Sequence, residues 1–146
     1  MAAEIAFEIV RDNGLTLIVD GDGNRALHLA DKAYFNRTIL VASAHNMPVE
    51  SYPWRFSSVI SVGSHAESDS LRFYYNPNPP VEFFARGVDV DLAWSGGVTI
   101  RATGNSFATP HMSGLCALVL GKYPQLTPFQ LKSVLYLIST NVGGGR

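Results

Sequence analysis

The chain is poor in several features that would have announced a function. Its 146 residues contain a single cysteine, Cys116, so no internal disulfide can form. That residue sits in the apolar run Leu115 to Leu120, where a small core side chain is the expected reading. Charged residues make up only 16% of the chain, balance to −1, and form no block of either sign. This leaves no electrostatic footprint for nucleic acid or for a charged membrane surface. No apolar run approaches the roughly 20 residues of a membrane-spanning helix. Met1-Ala2-Ala3-Glu4 has neither a basic start nor a separate apolar stretch, so no secretory leader is expected from it as given. No repeat or low-complexity block is present, and the compartment stays open. What the chain does have is 47% hydrophobic residues, enough for one domain with a real core.

Hydrophobic periodicity organises the rest. Leu15 to Val19 reads as a buried strand, followed by a turn at Asp20 to Asn24. Ala26, Leu29, Ala30, Ala33 and Tyr34 recur at helical spacing, predicting a helix from Arg25 to about Asn36 that Asn24 can cap. Ile39 to Ala42 and Val59 to Val62 read as further buried strands, with a loop from His45 to Trp54 between them. Residues 64–80, polar and proline-rich, read as a surface excursion, and strand-like chain resumes at Val81–Phe84 and Val88–Val90. A helix is expected from about Ser106 to Gly121. Thr127-Pro128-Phe129-Gln130 has the form of a capping box with proline at the first helical position, which starts a last helix running to about Ile138. Residues 1–142 therefore read as one domain, and 143–146, with three glycines, as a flexible tail. Helices alternating with continuously apolar strands imply an α/β, three-layer architecture: a mainly parallel sheet flanked by helices. In such sheets functional groups gather at the carboxyl ends of strands.

The most informative segment is Gly104-Asn105-Ser106-Phe107-Ala108-Thr109-Pro110-His111. Here irregular, glycine-bearing chain turns into a strongly apolar run, which places the Ser106 hydroxyl at the start of a helix. Backbone N–H groups and the positive end of the helix dipole point there. A nucleophile whose attack creates an oxyanion needs those surroundings. Asn46 lies just past the carboxyl end of the strand Ile39 to Ala42, where its side-chain amide can donate to such an anion. Gly104 is expected to allow the backbone angles or close approach of this turn.

The octet resembles the active-serine motif of subtilisin-like serine proteases, usually Gly-Thr-Ser-x-Ala-x-Pro-His, with Asn105 in place of threonine. Val41-Ala42-Ser43-Ala44-His45-Asn46 is similar to the family segment ending Ala-Ala-Gly-Asn, with His45 in place of glycine. Tyr52-Pro53 with Phe56 to Gly63, and Val81 to Val90, resemble two further family blocks in the same order, Arg86 standing where proline is usual. The resemblance runs from about Ala26 to the end. It implies a partial subtilisin-like fold and a serine endopeptidase working through an acyl-enzyme, with Ser106 as nucleophile and Asn46 in the oxyanion hole. It assigns Gly104, Asn105, Asp20 and Gly21 to substrate binding, and Asp20 and Asp22 would make a pocket there acidic.

The family's triad runs Asp, His, Ser along the chain. The resemblance supplies only the serine here. No histidine stands in a His-Gly-Thr context: His28 lies on the first helix, His45 beside Asn46, His65 in a loop, and His111 in the serine motif. His111 follows Ser106 by five residues, about 140° round the helix, out of easy reach. Only 25 residues separate Asp20 from Asn46, too few for a histidine block between them. Loss of a triad histidine costs about 10⁶ in turnover, so this chain by itself is expected to be close to inert. The implied partners are a peptide or protein substrate and the missing N-terminal half of the catalytic domain, without nucleic acid or membrane. Without that half, a bare sheet edge and apolar surface are expected. The alternative is a catalytically inactive, peptide-binding relative or a truncated fragment. No redox or nucleotide cofactor is implied. Calcium is common in the family, and Asp20-x-Asp22-x-Asn24 begins like a calcium loop. Yet Arg25 stands where that loop needs glycine and Asp31 where it needs glutamate, and no family metal site can be matched.

Overall fold

The computed structural model describes residues 5–11, 14–20 and 24–143, with side chains from Ala26 onward. In chain order the elements are β1 (Ile5–Arg11), β2 (Gly14–Asp20), α1 (Asn24–Phe35), β3 (Val41–Ser43), β4 (Ile60–His65), β5 (Tyr74–Tyr75) and β6 (Phe83–Arg86). Then come β7 (Val90–Trp94), β8 (Val98–Ala102), α2 (Asn105–Lys122), α3 (Pro128–Ile138) and the single turn α4 (Thr140–Gly143).

The main sheet has the order β3-β4-β6-β5. β3, β4 and β6 run parallel, with Val41 opposite Ile60 and Val62 opposite Phe83, while β5 closes the far edge antiparallel to β6. β4 lies between two neighbours, and Ile60, Ser61, Val62 and Gly63 are all buried. Continuous apolar character in a central parallel strand has this cause. Ser61 is tolerated there because its hydroxyl donates to Pro80 O (2.9 Å) and accepts from Glu82 N–H (2.8 Å). Gly63 packs closely: a Cβ would fall 2.5 Å from the Phe84 ring, which would have to shift.

α2 lies on this sheet through Ala108, Met112 and Cys116, spaced four apart and all buried. Leu131 and Leu135 of α3 complete the core with Ile60, Val62, Phe73 and Phe83. α3 starts as its sequence predicts: Thr127 Oγ1 accepts from Gln130 N–H, and Gln130 Oε1 accepts from Thr127 N–H. Burial pushes the Cys116 thiol up to about 12. No helix among the described residues is long and apolar enough to cross a membrane.

Three expectations need adjustment. The strand at Leu15–Val19 belongs to a separate antiparallel hairpin, with β1 opposite β2 from Ile5–Asp20 to Arg11–Gly14. Residues 64–80 are not surface throughout, because Phe73 is buried in the core and Tyr74–Tyr75 pair with Phe84 and Phe83. A second hairpin, β7–β8, turns through the three residues Ser95, Gly96 and Gly97 between the paired Trp94 and Val98, and both glycines take the positive φ that such a short loop demands. The strand expected at Val88–Val90 meets this hairpin at Val90 alone, and β8 (VTIRA) alternates over too short a stretch to stand out. Residues 144–146 of the expected tail lie outside the described residues.

α2 is apolar on every side, yet Leu118 is 65% exposed, and among the described residues β3 pairs only with β4. A helix of that composition is ordinarily covered all round.

Two outcomes test this packing. Leu135→Ala should lower unfolding free energy in urea by about 2–5 kcal/mol, and Phe129→Ala, at a 68% exposed site, by less than about 0.5 kcal/mol. The raised Cys116 pKa means burial disfavours the thiolate. Its contribution to stability is full below the ordinary thiol value of ~8.5 and is lost as pH climbs from there toward about 12. Alkylation by iodoacetamide should accordingly be roughly tenfold or more slower in native than in urea-unfolded protein.

Candidate active site

The first turn of α2 carries the site. A helix start leaves N–H groups without partners inside the helix. Gly104 at the N-cap has no side chain to supply one. The Asn105 N–H instead donates to Asn46 Oδ1 at 2.9 Å, a cap delivered from 59 positions away. The Phe107 N–H turns back to Gly104 O at 3.0 Å. Between them, the Ser106 N–H has no hydrogen-bond partner among the described residues, and neither has its exposed hydroxyl. Pro110 lies inside the helix and has no N–H to offer the Ser106 carbonyl.

Asn46 sits on the exposed stretch after β3. Because its oxygen takes the Asn105 N–H, its NH₂ end is the one left over, and it makes no hydrogen bond among the described residues. Two donors, the Asn46 NH₂ and the Ser106 N–H, are thus left unspent on either side of one linking hydrogen bond.

Asn105 does more than its motif position suggested. Its Oδ1 accepts from both the N–H and the hydroxyl of Ser64 (2.9 Å each), and its Nδ2 donates to Ala44 O (3.1 Å) and His45 O (3.4 Å). That carboxamide, assigned to substrate, is occupied by protein partners. Ser64 was missed altogether, and the only signal was a carboxamide where the motif ordinarily has a hydroxyl.

Gly104 has φ 167°, extended backbone open to any residue, and a Cβ there would stand 3.5 Å from Ser106 Oγ. The close approach sits at Gly87 instead. Its carbonyl accepts from Gly104 N–H at 2.9 Å, and its N–H donates to His65 O at 3.2 Å. A Cβ on it would fall 2.7 Å from Ser64 Cβ and 2.9 Å from both Ala108 Cβ and Gly104 O.

No histidine ring bonds to Ser106 among the described residues. His111 Nδ1 lies 3.0 Å from Phe107 O, one turn back on its own helix. His45 Nδ1 accepts from Met47 N–H at 3.0 Å. His65 Nδ1 accepts from Glu67 N–H, which leaves Nε2 to donate to Arg72 O at 2.9 Å. The Tyr74 hydroxyl donates to the Glu67 carboxylate and holds it below the usual carboxylate range. His28 is exposed on α1.

A cavity of about 640 Å³ opens beside Asn46 and Asn105, walled by His45, Pro48, Trp54 and Phe84. A larger cavity of about 780 Å³ lies between α1 and α3 and touches none of these groups. Asp20 ends β2 opposite Ile5, while Gly21 and Asp22 lie outside the described residues. Among the described residues no group of three His, Cys, Asp or Glu side chains could hold a metal ion.

The sequence model of the subtilase family matches residues 12–145. The chain belongs to the subtilase family. It is 33% identical over 147 residues to "Subtilisin DY" of Bacillus licheniformis, covering 93% of this chain and 54% of that protein. It is 31% identical to the "Thermostable alkaline protease" of Halalkalibacterium halodurans, covering 83% of this chain and 34% of that one. The solved structure of "Sphericase" superposes with a TM-score of 0.61 at 25% identity, over 75% of this chain and 42% of that one. The fold is therefore a partial α/β subtilisin fold, and the chain spans from a third to about half the length of the curated relatives it matches.

Gly87→Ala should cost about 1–3 kcal/mol by overpacking. It should also disturb the amide resonances of Ser64 and Gly104 more than those of α3, as read in a ¹⁵N spectrum.

Proposed function

We propose that this chain carries the nucleophile and the oxyanion hole of a subtilisin-like serine endopeptidase. Ser106 Oγ attacks the peptide carbonyl carbon, and its proton passes to a base. The carbonyl's electron pair moves onto oxygen, where the Asn46 NH₂ and the Ser106 N–H receive it. Collapse of the tetrahedral adduct expels the amine, which takes the proton from the base. Water then releases the acyl group by the same steps. The reaction as written draws on no redox or nucleotide cofactor.

The observation that carries this reading is the 2.9 Å bond from Asn105 N–H to Asn46 Oδ1. It seats a carboxamide against the helix start beside Ser106 and leaves its donors unspent. Membership of the subtilase family supports the reaction class. The base is the part this chain does not place: the rings of His45, His65 and His111 are bonded elsewhere. The Asp and His would come from the N-terminal half of the catalytic domain, upstream of these residues or on another polypeptide, with the apolar outer face of α2 and the edge of β3 available to receive it. Substrate would be peptide or protein.

A fluorophosphonate probe tests the assignment. The chain alone should label slowly. Supplied with a polypeptide bearing the family's Asp and His blocks, it should label faster and hydrolyse peptide, by a margin approaching the roughly 10⁶ that a triad histidine contributes to turnover. Ser106→Ala should abolish labelling, and Asn46→Ala should slow the assembled enzyme about 10²–10³-fold, the loss known for this donor in subtilisin. Absence of labelling under both conditions would favour a peptide-binding relative that does not cut.

A further inference from the structure

We infer that Asn105 is a positioning residue for the oxyanion hole, locking the Asn46 loop to the helix that bears Ser106. The inference rests on the assignment of those two residues above. Three segments that are distant in sequence must meet at this point: the end of β4, the stretch after β3, and the first turn of α2. Asn105 bonds all three. Its side-chain oxygen holds Ser64 by two donors, its side-chain nitrogen holds the carbonyls of Ala44 and His45, and its backbone N–H holds Asn46 Oδ1.

The division of labour follows from the group. A carboxamide carries an acceptor and a donor on separate atoms, so it can bind donors on one side and carbonyls on the other at once. A hydroxyl has one atom for both tasks. Residues 45–50 are all exposed, so little apolar burial holds this loop in place. Its ties to the helix are the bonds to Asn105. Those bonds also orient Asn46. With Ala44 and His45 held, Oδ1 faces the Asn105 N–H and the NH₂ end is directed away from it, free for an anion. Released from the clamp, the loop can move and the carboxamide can rotate. A hydrogen bond of this kind is effective only when its donor is already aimed before charge develops.

The clamp predicts a defect in the anion-stabilising step with substrate binding preserved. In the assembled enzyme Asn105→Ala should lower kcat by about 10²–10³, the size of losing one hole donor, with KM within about twofold. Because Asn105 acts through Asn46, the double variant Asn46→Ala/Asn105→Ala should be no slower than Asn46→Ala alone. Losses that multiply, or an Asn105→Ala enzyme as fast as the unmodified one, would overturn the inference. If Asn46→Ala itself leaves the rate unchanged while Ser106 still labels, it is the oxyanion assignment that has failed.

Amide hydrogen exchange on the chain alone decides the clamp without reference to catalysis. Asn105→Ala should speed exchange at Ser64 and at residue 105 by roughly tenfold or more, leaving Met112 to Cys116 of α2 within about twofold. Should the alanine variant fail to fold, Asn105→Asp serves: its carboxylate still accepts from Ser64 but cannot donate to Ala44 and His45. Exchange at residue 105 should rise there while Ser64 stays protected. Unchanged exchange at residue 105 in the variant that folds would refute the clamp.

Discussion

Much of this molecule's arrangement depends on one unusual way of finishing a helix. The N-cap of α2 is a glycine and offers no side chain, so the first N–H is satisfied by a carboxamide from another part of the chain, Asn46. That single bond joins the strand-end loop to the helix. It also decides which end of the Asn46 side chain remains available. One interaction thus both caps the helix and orients the Asn46 carboxamide. The next N–H, on Ser106, has no partner among the described residues, because a first-turn N–H has no carbonyl of its own helix to reach.

The sheet beneath makes this meeting possible. β3 and β4 are parallel neighbours, so their carboxyl ends deliver Ala44–Asn46 and Ser64 to the same edge. α2 packs against both through small and flexible residues, Ala108 and Met112, which bring its first turn close to that edge. Gly87 permits the approach, since any side chain there would collide with Ser64, Ala108 and the Gly104 carbonyl. Burial of the core therefore fixes the site's geometry as well as the fold's stability.

The same structure leaves surface that a self-sufficient domain would cover. α2 is apolar all round, Leu118 faces out, and among the described residues β3 is paired on one side. Among the described residues, the Ser106 hydroxyl at the start of α2 likewise has no histidine ring bonded to it. Both shortfalls agree with a chain that spans only 54% or less of the curated relatives described here.

Much was legible from the residues alone. The alternation of apolar strands with helices, the Thr127–Gln130 capping box, and the serine octet all rest on local chemistry: side-chain periodicity, a cap three residues from its partner, a turn opening a helix. Ser106 and Asn46 could be nominated because their segments announce a helix start and a strand end. The strand at Val98–Ala102, the buried Phe73 within a polar stretch, and the separate β1–β2 hairpin were not legible, because pairing partners decide them. Nor was the work of Asn105 and Ser64, or the crowding at Gly87. Those follow from contacts between separate segments, Asn105 with Ser64 and Ala44 at 41 and 61 positions, and Gly87 with Ser64, Ala108 and Gly104 on other elements or loops. Sequence determined which groups the chain possesses and the local backbone that presents them. Only tertiary packing decided which carboxamide faces the protein and which keeps its donors free, because hydrogen bonds across the fold compete for the same few atoms.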